Sequence, residues 1–316
     1  MKKPICFSIL AVVVLYACIN LAVLFAPPIY QIGLKKRLST TFADIKDFLA
    51  KPDQTQTEAR RLEQEVSDLR ECIDKSINSP KFTHTPTWQW KPVKAARCRV
   101  IEEIAGQIQP YNPWLLELKF GGKNEINSRV VNGAVALLRF TKPDEILETT
   151  LKKKAQEKSD GFWSAIALLY QHDLMDESMR NLLREFVLSQ TTPEGKKAAA
   201  MYAVYYGYGD AAIPYCEELL QQPFQTNGLI AANGYPVGNQ LTMDYQRAFD
   251  TLGHIGTNAA RLLPLLKKRQ EEVVNAKGIE PMKPFILGNL YAATKCLEGT
   301  RPVQTESKSP YCTWCK

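Results

Sequence analysis

Cys312-Thr313-Trp314-Cys315, close to the C-terminus, is the sharpest chemical pattern in this chain. A CxxC pair shuttles electrons when one thiolate is activated, typically at a helix start that follows a strand. Here Pro302 and Pro310 punctuate the tail and no strand pattern precedes the motif. A Cys₄ zinc site requires a second such pair, and the sequence has none. The readings that remain are a structural disulfide, local or longer-range, no role at all, attachment of a metal or a lipid, and thiol redox exchange. Trp314 supplies an aromatic anchor for the tail, against a groove or a partner.

The other cysteines add a second expectation. Cys6 and Cys18 lie in an N-terminal apolar run, leaving Cys72, Cys98, Cys216 and Cys296 in the body of the chain. Cys72 and Cys98 flank one Pro-rich connection, so they form the first expected pair, with buried thiols as the alternative. His84, His172 and His254 stand at no metal-ligand spacing and read as solvated turn residues. His-Glu-x-x-His, Gly-rich phosphate-loop and Gly-x-Ser-x-Gly patterns are all missing. Acidic pairs such as Glu102-Glu103 and Glu217-Glu218 are adjacent and point to different parts of a helix surface. No catalytic residue, metal ligand or cofactor is assigned on these grounds.

The elements that position these residues begin with residues 4–26, an unbroken uncharged apolar run. At about 1.5 Å per residue it matches the thickness of a bilayer core. Lys2 and Lys3 precede it; Lys35, Lys36 and Arg37 follow. An uncleaved signal anchor accounts for the whole stretch. Acylation at Cys18 and cleavage after Ala26 are the alternatives, and both meet poor flanking residues. The short basic head favours an inner-membrane, single-pass arrangement with the main domain outside the cytoplasm. Membrane lipid is thus one expected partner.

The net charge is +7, spread over short clusters such as Lys152–Lys154 and Lys267–Arg269, each near acidic neighbours. Nucleic-acid binding requires a coherent basic stripe or a known module, and neither occurs. No nucleic-acid partner is expected.

Helices are predicted over 38–50 and 57–79, with Thr55 and Glu58 at capping-box spacing. Leu62, Val66, Leu69, Ile73 and Ile77 recur every three or four residues as one apolar stripe, which packs on the rest of the domain or pairs two chains. Residues 80–92 contain Pro80, Pro86 and Pro92 and have no helical period. In that connector Trp88 and Trp90 share one side of an extended chain and are candidate contact residues. From residue 93 the pattern is helical: 93–108, 112–119, 126–140, 143–158, 161–171, 176–190, 194–207, 210–222, 244–254, 257–276 and 282–298.

Residues 197–220 and 247–268 look alike. Each has an Ala-bearing helix, a Gly-containing turn and a second helix ending in leucines. With GDAAIP at 209–214 and LGHIG at 252–256, the chain resembles the bacterial HEAT-like repeats, of the short Ala/Leu/Gly kind also found in phycobilin lyases. The likeness spans at most 127–298 and is clearest over 194–270. A Gly/Asn/Pro-rich insertion at 223–243 breaks the period. The paired His-Glu motifs of HEAT-like iron hydroxylases are missing.

The resemblance implies an all-α protein, an α-solenoid of helical hairpins, and the apolar run places an N-terminal transmembrane helix before it. The expected organisation is an anchor (1–33), a helical stalk and connector (34–92), a helical-repeat domain (93–300) and a flexible Cys-containing tail (301–316). The expected function is non-catalytic, a membrane-anchored binding scaffold or adaptor joined to another envelope protein. Phe224 and Tyr235 of the insertion are its candidate contacts. The alternatives are a thiol-redox or metal-handling protein using Cys312 and Cys315, and a lyase-like enzyme with a small ligand in the solenoid groove.

Overall fold

The computed structural model describes residues 33–79, 82, 90–121, 128–208, 211–224, 240–303 and 308–315. All regular structure among them is helical; no strand occurs in the described residues. No described helix is long and apolar enough to cross a membrane, and the apolar run 4–26 lies outside the described residues.

The chain divides into two compact units, one of residues up to Leu174 together with Lys308–Lys316, the other of Met175–Ser307. This differs from the division expected from composition. The segment 34–92 is no separate stalk, because its helices belong to the core of the first unit.

In that unit α1 (Leu34–Ala50) and α2 (Gln56–Ile77) pack antiparallel across Lys51-Pro52-Asp53. Thr55 caps α2, its Oγ1 accepting from Glu58 N at 3.2 Å. The predicted stripe Leu62, Val66, Leu69, Ile73 and Ile77 is buried along its length. It meets α3 (Trp90–Ile108) and α5 (Ser128–Val135). Leu34, Leu38, Phe42, Ile45 and Phe48 of α1 are buried too, and the Phe42 ring lies 4.4 Å from Tyr111 and 5.5 Å from Trp114. The helix predicted over 126–140 tightens after Val135 into a 3₁₀ turn, Ala136–Phe140, that buries Leu137, Leu138 and Phe140.

Next come α4 (Asn112–Phe120), α6 (Glu145–Gln156) and α7 (Phe162–Gln171), with α4 against α5 and α6, and α6 against α7. Buried Asn112 ties α4 to the start of α6, donating Nδ2 to Thr141 Oγ1 (2.9 Å) and Asp144 Oδ2 (3.2 Å). Asp144 in turn caps α6.

The second unit holds α8 (Glu177–Ser189), α9 (Pro193–Tyr205), α10 (Ile213–Gln221), α11 (Gln240–Ile255), α12 (Leu263–Asn275) and α13 (Lys283–Leu297). Neighbours alternate: α8 packs on α9, α9 on α11 and α11 on α13, while α10 packs on α11 and α12. Buried Ala199, Ala200, Ala203 and Ala248 permit the close approach of α9 and α11. Gly256 turns the chain between α11 and α12. Its φ is +66°, and a Cβ there would stand 2.5 Å from Val303 Cγ2, so both backbone and space demand glycine.

The last element, α14 (Pro310–Trp314), is capped by Ser309 and packs on α3 in the first unit. Over 308–315 the expected flexible tail is instead an ordered segment packed against the first unit, with Ser309 buried.

Candidate functional site

Alternation between buried and outward positions builds a groove in the second unit. Thr192 starts α9, its Oγ1 accepting from Gly195 N at 3.0 Å, and Pro193 occupies the first turn, where its missing N–H costs nothing. Ala199, Ala200 and Ala203 then face inward. Glu194, Lys197, Ala198, Met201, Tyr202 and Tyr205, at spacings of three and four, form one wall facing α11. Asp244, Arg247 and Thr251 supply the other wall, while Ala248, Phe249 and Leu252 face the core. Between the walls lies a cavity of about 340 Å³.

A second cavity of about 350 Å³ lies between α11 and α13, lined by Gln246, Arg247, Phe249, Asp250, Asn289, Ala292 and Ala293. Arg247 borders both cavities, so one continuous face runs over α9, α11 and α13. Tyr202 is 47% exposed on this face, and Phe285, one turn before Asn289, is 56% exposed.

Aromatic and charged groups are ordered together. The Tyr205 hydroxyl donates to Asp250 Oδ2 at 2.6 Å. Its ring meets His254 edge-on at 4.3 Å and Tyr202 at 6.2 Å. Burial, reinforced by the Asp250 carboxylate, pushes the Tyr205 phenol well above the usual tyrosine range. Tyr205 is therefore a hydrogen-bond donor fixed in place, not a base at neutral pH. Arg247 reaches Asp244 at 3.5 Å. Beneath the groove Cys216 is fully buried, and that burial pushes its thiol up to about 12, with Lys197 opposing. A thiol so placed is a packing group, not a nucleophile. The arrangement suits recognition: an apolar, aromatic floor inside a rim bearing both signs of charge.

The cysteines are arranged differently from expectation. Cys98 is disulfide-bonded to Cys315, with their Cα atoms 5.1 Å apart. The expected Cys72–Cys98 pair is corrected: Cys72 is a buried thiol on the stripe side of α2, and burial raises its pKa against the pull of Arg37 and Lys75. Cys312 is not bonded to Cys315 and donates its thiol to His172 O at 3.2 Å.

The tail seat around this disulfide is dense. The Arg97 guanidinium lies 3.6 Å from the centre of the Trp314 ring, and Lys308 Nζ lies 3.5 Å from that of Tyr170. Ser309 N donates to Gln171 O at 2.7 Å. Arg97 also donates to Asn78 Oδ1.

His172 closes α7 as expected but is fully buried, not solvated, with Nε2 3.0 Å from Leu138 O. His254 is likewise largely buried against Tyr205. His84, Trp88 and Tyr235 lie outside the described residues. Trp90 is the first residue of α3, so it does not continue an extended connector. Phe224 is half-buried, its ring 5.4 Å from Tyr245 and its N–H donating to Glu272 Oε2 at 2.9 Å. That contact holds the base of the insertion, apart from the α9–α11 groove.

Sequence reasoning missed Tyr202, Tyr205 and Arg247. The signal was present in Tyr202-Ala-Val-Tyr205-Tyr206, where rings alternate with the small residues that revealed the repeat. Among the described residues no group of three or more His, Cys, Asp or Glu side chains is arranged to hold a metal ion. No protein-family model matches the chain, and no curated protein or solved structure shows significant similarity to it.

Proposed function

We propose that this protein is a membrane-anchored helical-repeat scaffold, held outside the cytoplasm, whose second unit binds a peptide segment of another envelope protein. The carrying observation is the face over α9, α11 and α13, with its aromatic groove between Met201, Tyr202, Tyr205 and Arg247. Exposed tyrosine and arginine beside an apolar pocket are the side chains that dominate protein–protein binding energies. The solenoid reading draws support from the neighbour order: α9, α11 and α13 follow one another, and α10 precedes α12 in a parallel series. Stacking of this kind gives each hairpin an apolar neighbour that it lacks alone. The Cys98–Cys315 disulfide accords with an oxidising compartment. The apolar run 4–26 accords with an anchor.

The test is site-directed photo-crosslinking in the native membrane. A benzophenone side chain at position 202 is expected to give one discrete adduct with an envelope protein, lost in Met201→Asp. The control is position 146, since Ile146 is 53% exposed on α6 of the other unit. No adduct at 202, or the same adducts from 146, overturns the reading.

A further inference from the structure

We propose that the C-terminal Cys312-Thr313-Trp314-Cys315 motif is a disulfide-exchange latch, in which Cys312 takes Cys315 from Cys98 and so releases or re-ties the tail. The inference stands on the seat around the disulfide and does not depend on the binding reading above.

Three cysteines belong to this seat, and only two are bonded. Cys98 of α3 and Cys315 share the disulfide, while Cys312 remains a thiol one helical turn before Cys315. Residues three apart on a helix have Cβ atoms about 5–6 Å apart. A disulfide brings Cβ atoms to roughly 3.5–4.5 Å. A shift within this one short turn closes that difference. Cys312 is half-buried, and its present bond to a main-chain carbonyl is made by S–H, a weak donor, so little holds the thiol back.

The step balances without an outside oxidant. Cys312 gives up its proton, and its thiolate attacks Cys315 Sγ. The Cys312–Cys315 bond forms, the Cys98–Cys315 bond breaks, and Cys98 leaves as a thiolate that takes up the proton. One disulfide and one thiol are present before and after.

The seat explains why such an exchange reverses. Lys308 on Tyr170 and Ser309 N on Gln171 O precede the turn that shifts and are separate from the sulfurs, and Trp314 on Arg97 adds a third non-covalent hold. They keep Cys315 beside Cys98 while the bond moves, so return is intramolecular and fast relative to encounter with another molecule. With the bond within the motif, these contacts alone retain the tail, and it opens far more often. The other body cysteines do not compete, since Cys72, Cys216 and Cys296 are buried.

Disulfide mapping of the full chain tests this. Wild-type protein is incubated at mildly alkaline pH without added thiol or oxidant, acid-quenched, alkylated and digested for mass spectrometry. The expected result is a Cys312–Cys315 peptide together with alkylated Cys98, alongside the Cys98–Cys315 peptide. Cys312→Ser, which keeps the native bond, is expected to lose the first species entirely and to resist tryptic cleavage after Lys308 longer than wild type. Cys98→Ser under oxidised glutathione is expected to form Cys312–Cys315. Wild type that yields only Cys98–Cys315 after prolonged incubation overturns the latch. So does equal tail cleavage in wild type and Cys312→Ser.

Discussion

Two aromatic surfaces in this molecule differ in what covers them. Around α3 and α7 of the first unit, the chain's own C-terminus supplies the cover: Trp314 lies on Arg97, Lys308 on Tyr170, and Cys315 is bonded to Cys98. Over α9 and α11 of the second unit, similar components stand open, with Tyr202 47% exposed beside Tyr205 and Arg247. The contrast teaches what a helix groove of this composition accepts. In the covered case it is a short peptide with one cation, Lys308, and one anchoring ring, Trp314, held by a main-chain hydrogen bond and by cation–π contacts. A groove of comparable chemistry, left open, is the surface proposed above for recognition. The first surface is a worked example of the binding that the second is proposed to perform on a partner.

Removing the covalent part of the covered seat carries the largest expected effect. The Cys98–Cys315 bond spans 217 residues, and loss of a native disulfide typically costs about 2–5 kcal/mol. Cys98→Ser is expected to lower stability by that amount in urea denaturation followed by circular dichroism. No loss would mean the tail is seated by its non-covalent contacts alone.

The open groove behaves oppositely. Tyr202→Ala is expected to leave stability within about 0.5 kcal/mol of wild type, since its ring is half-exposed. It is expected to weaken partner capture by roughly 30-fold, about 2 kcal/mol, as a central aromatic contact does. Unchanged capture would place the binding surface elsewhere.

Trp314→Ala sharpens the comparison from the covered side. Loss of the cation–π contact with Arg97 is expected to cost about 1–2 kcal/mol. It should also hasten reduction of the Cys98–Cys315 bond by dithiothreitol. An unchanged reduction rate would show that Trp314 does not shield the disulfide.

The smallest effect belongs to Tyr205. Its phenol is held above its ordinary range, so its contribution to stability is complete below about pH 10 and is lost as pH rises from there through the folded value. Tyr205→Phe is expected to cost about 1 kcal/mol near neutrality through the lost bond to Asp250. It is also expected to reduce the alkaline slope of stability by at most about 1.4 kcal/mol per pH unit. Parallel alkaline slopes in wild type and variant would show that the phenol titrates as if solvated.

Much of the fold was legible because its signals are local. Helices end where Pro, Gly and capping side chains stand: Thr55, Asp144, Asp176 and Thr192 each accept from the backbone N–H three residues on. The buried stripe of α2 was written in its own spacing. The candidate groove was only half legible. The alanines of α9 pointed to close packing, but which tyrosine faces outward depends on where α11 lies.

By itself, then, the sequence determined the helices, the Thr55 cap and the apolar stripe of α2, since each is set by residues within about four positions of one another. Tertiary structure alone decided that Cys98 meets Cys315 and not Cys72, and that His172 is buried under the seated tail. It alone decided that Tyr202, Tyr205 and Arg247 line one groove from two facing helices. Those outcomes join residues tens to hundreds of positions apart. No spacing rule encodes them, because the distance between such residues is set by how whole helices pack, and that is a property of the assembled core.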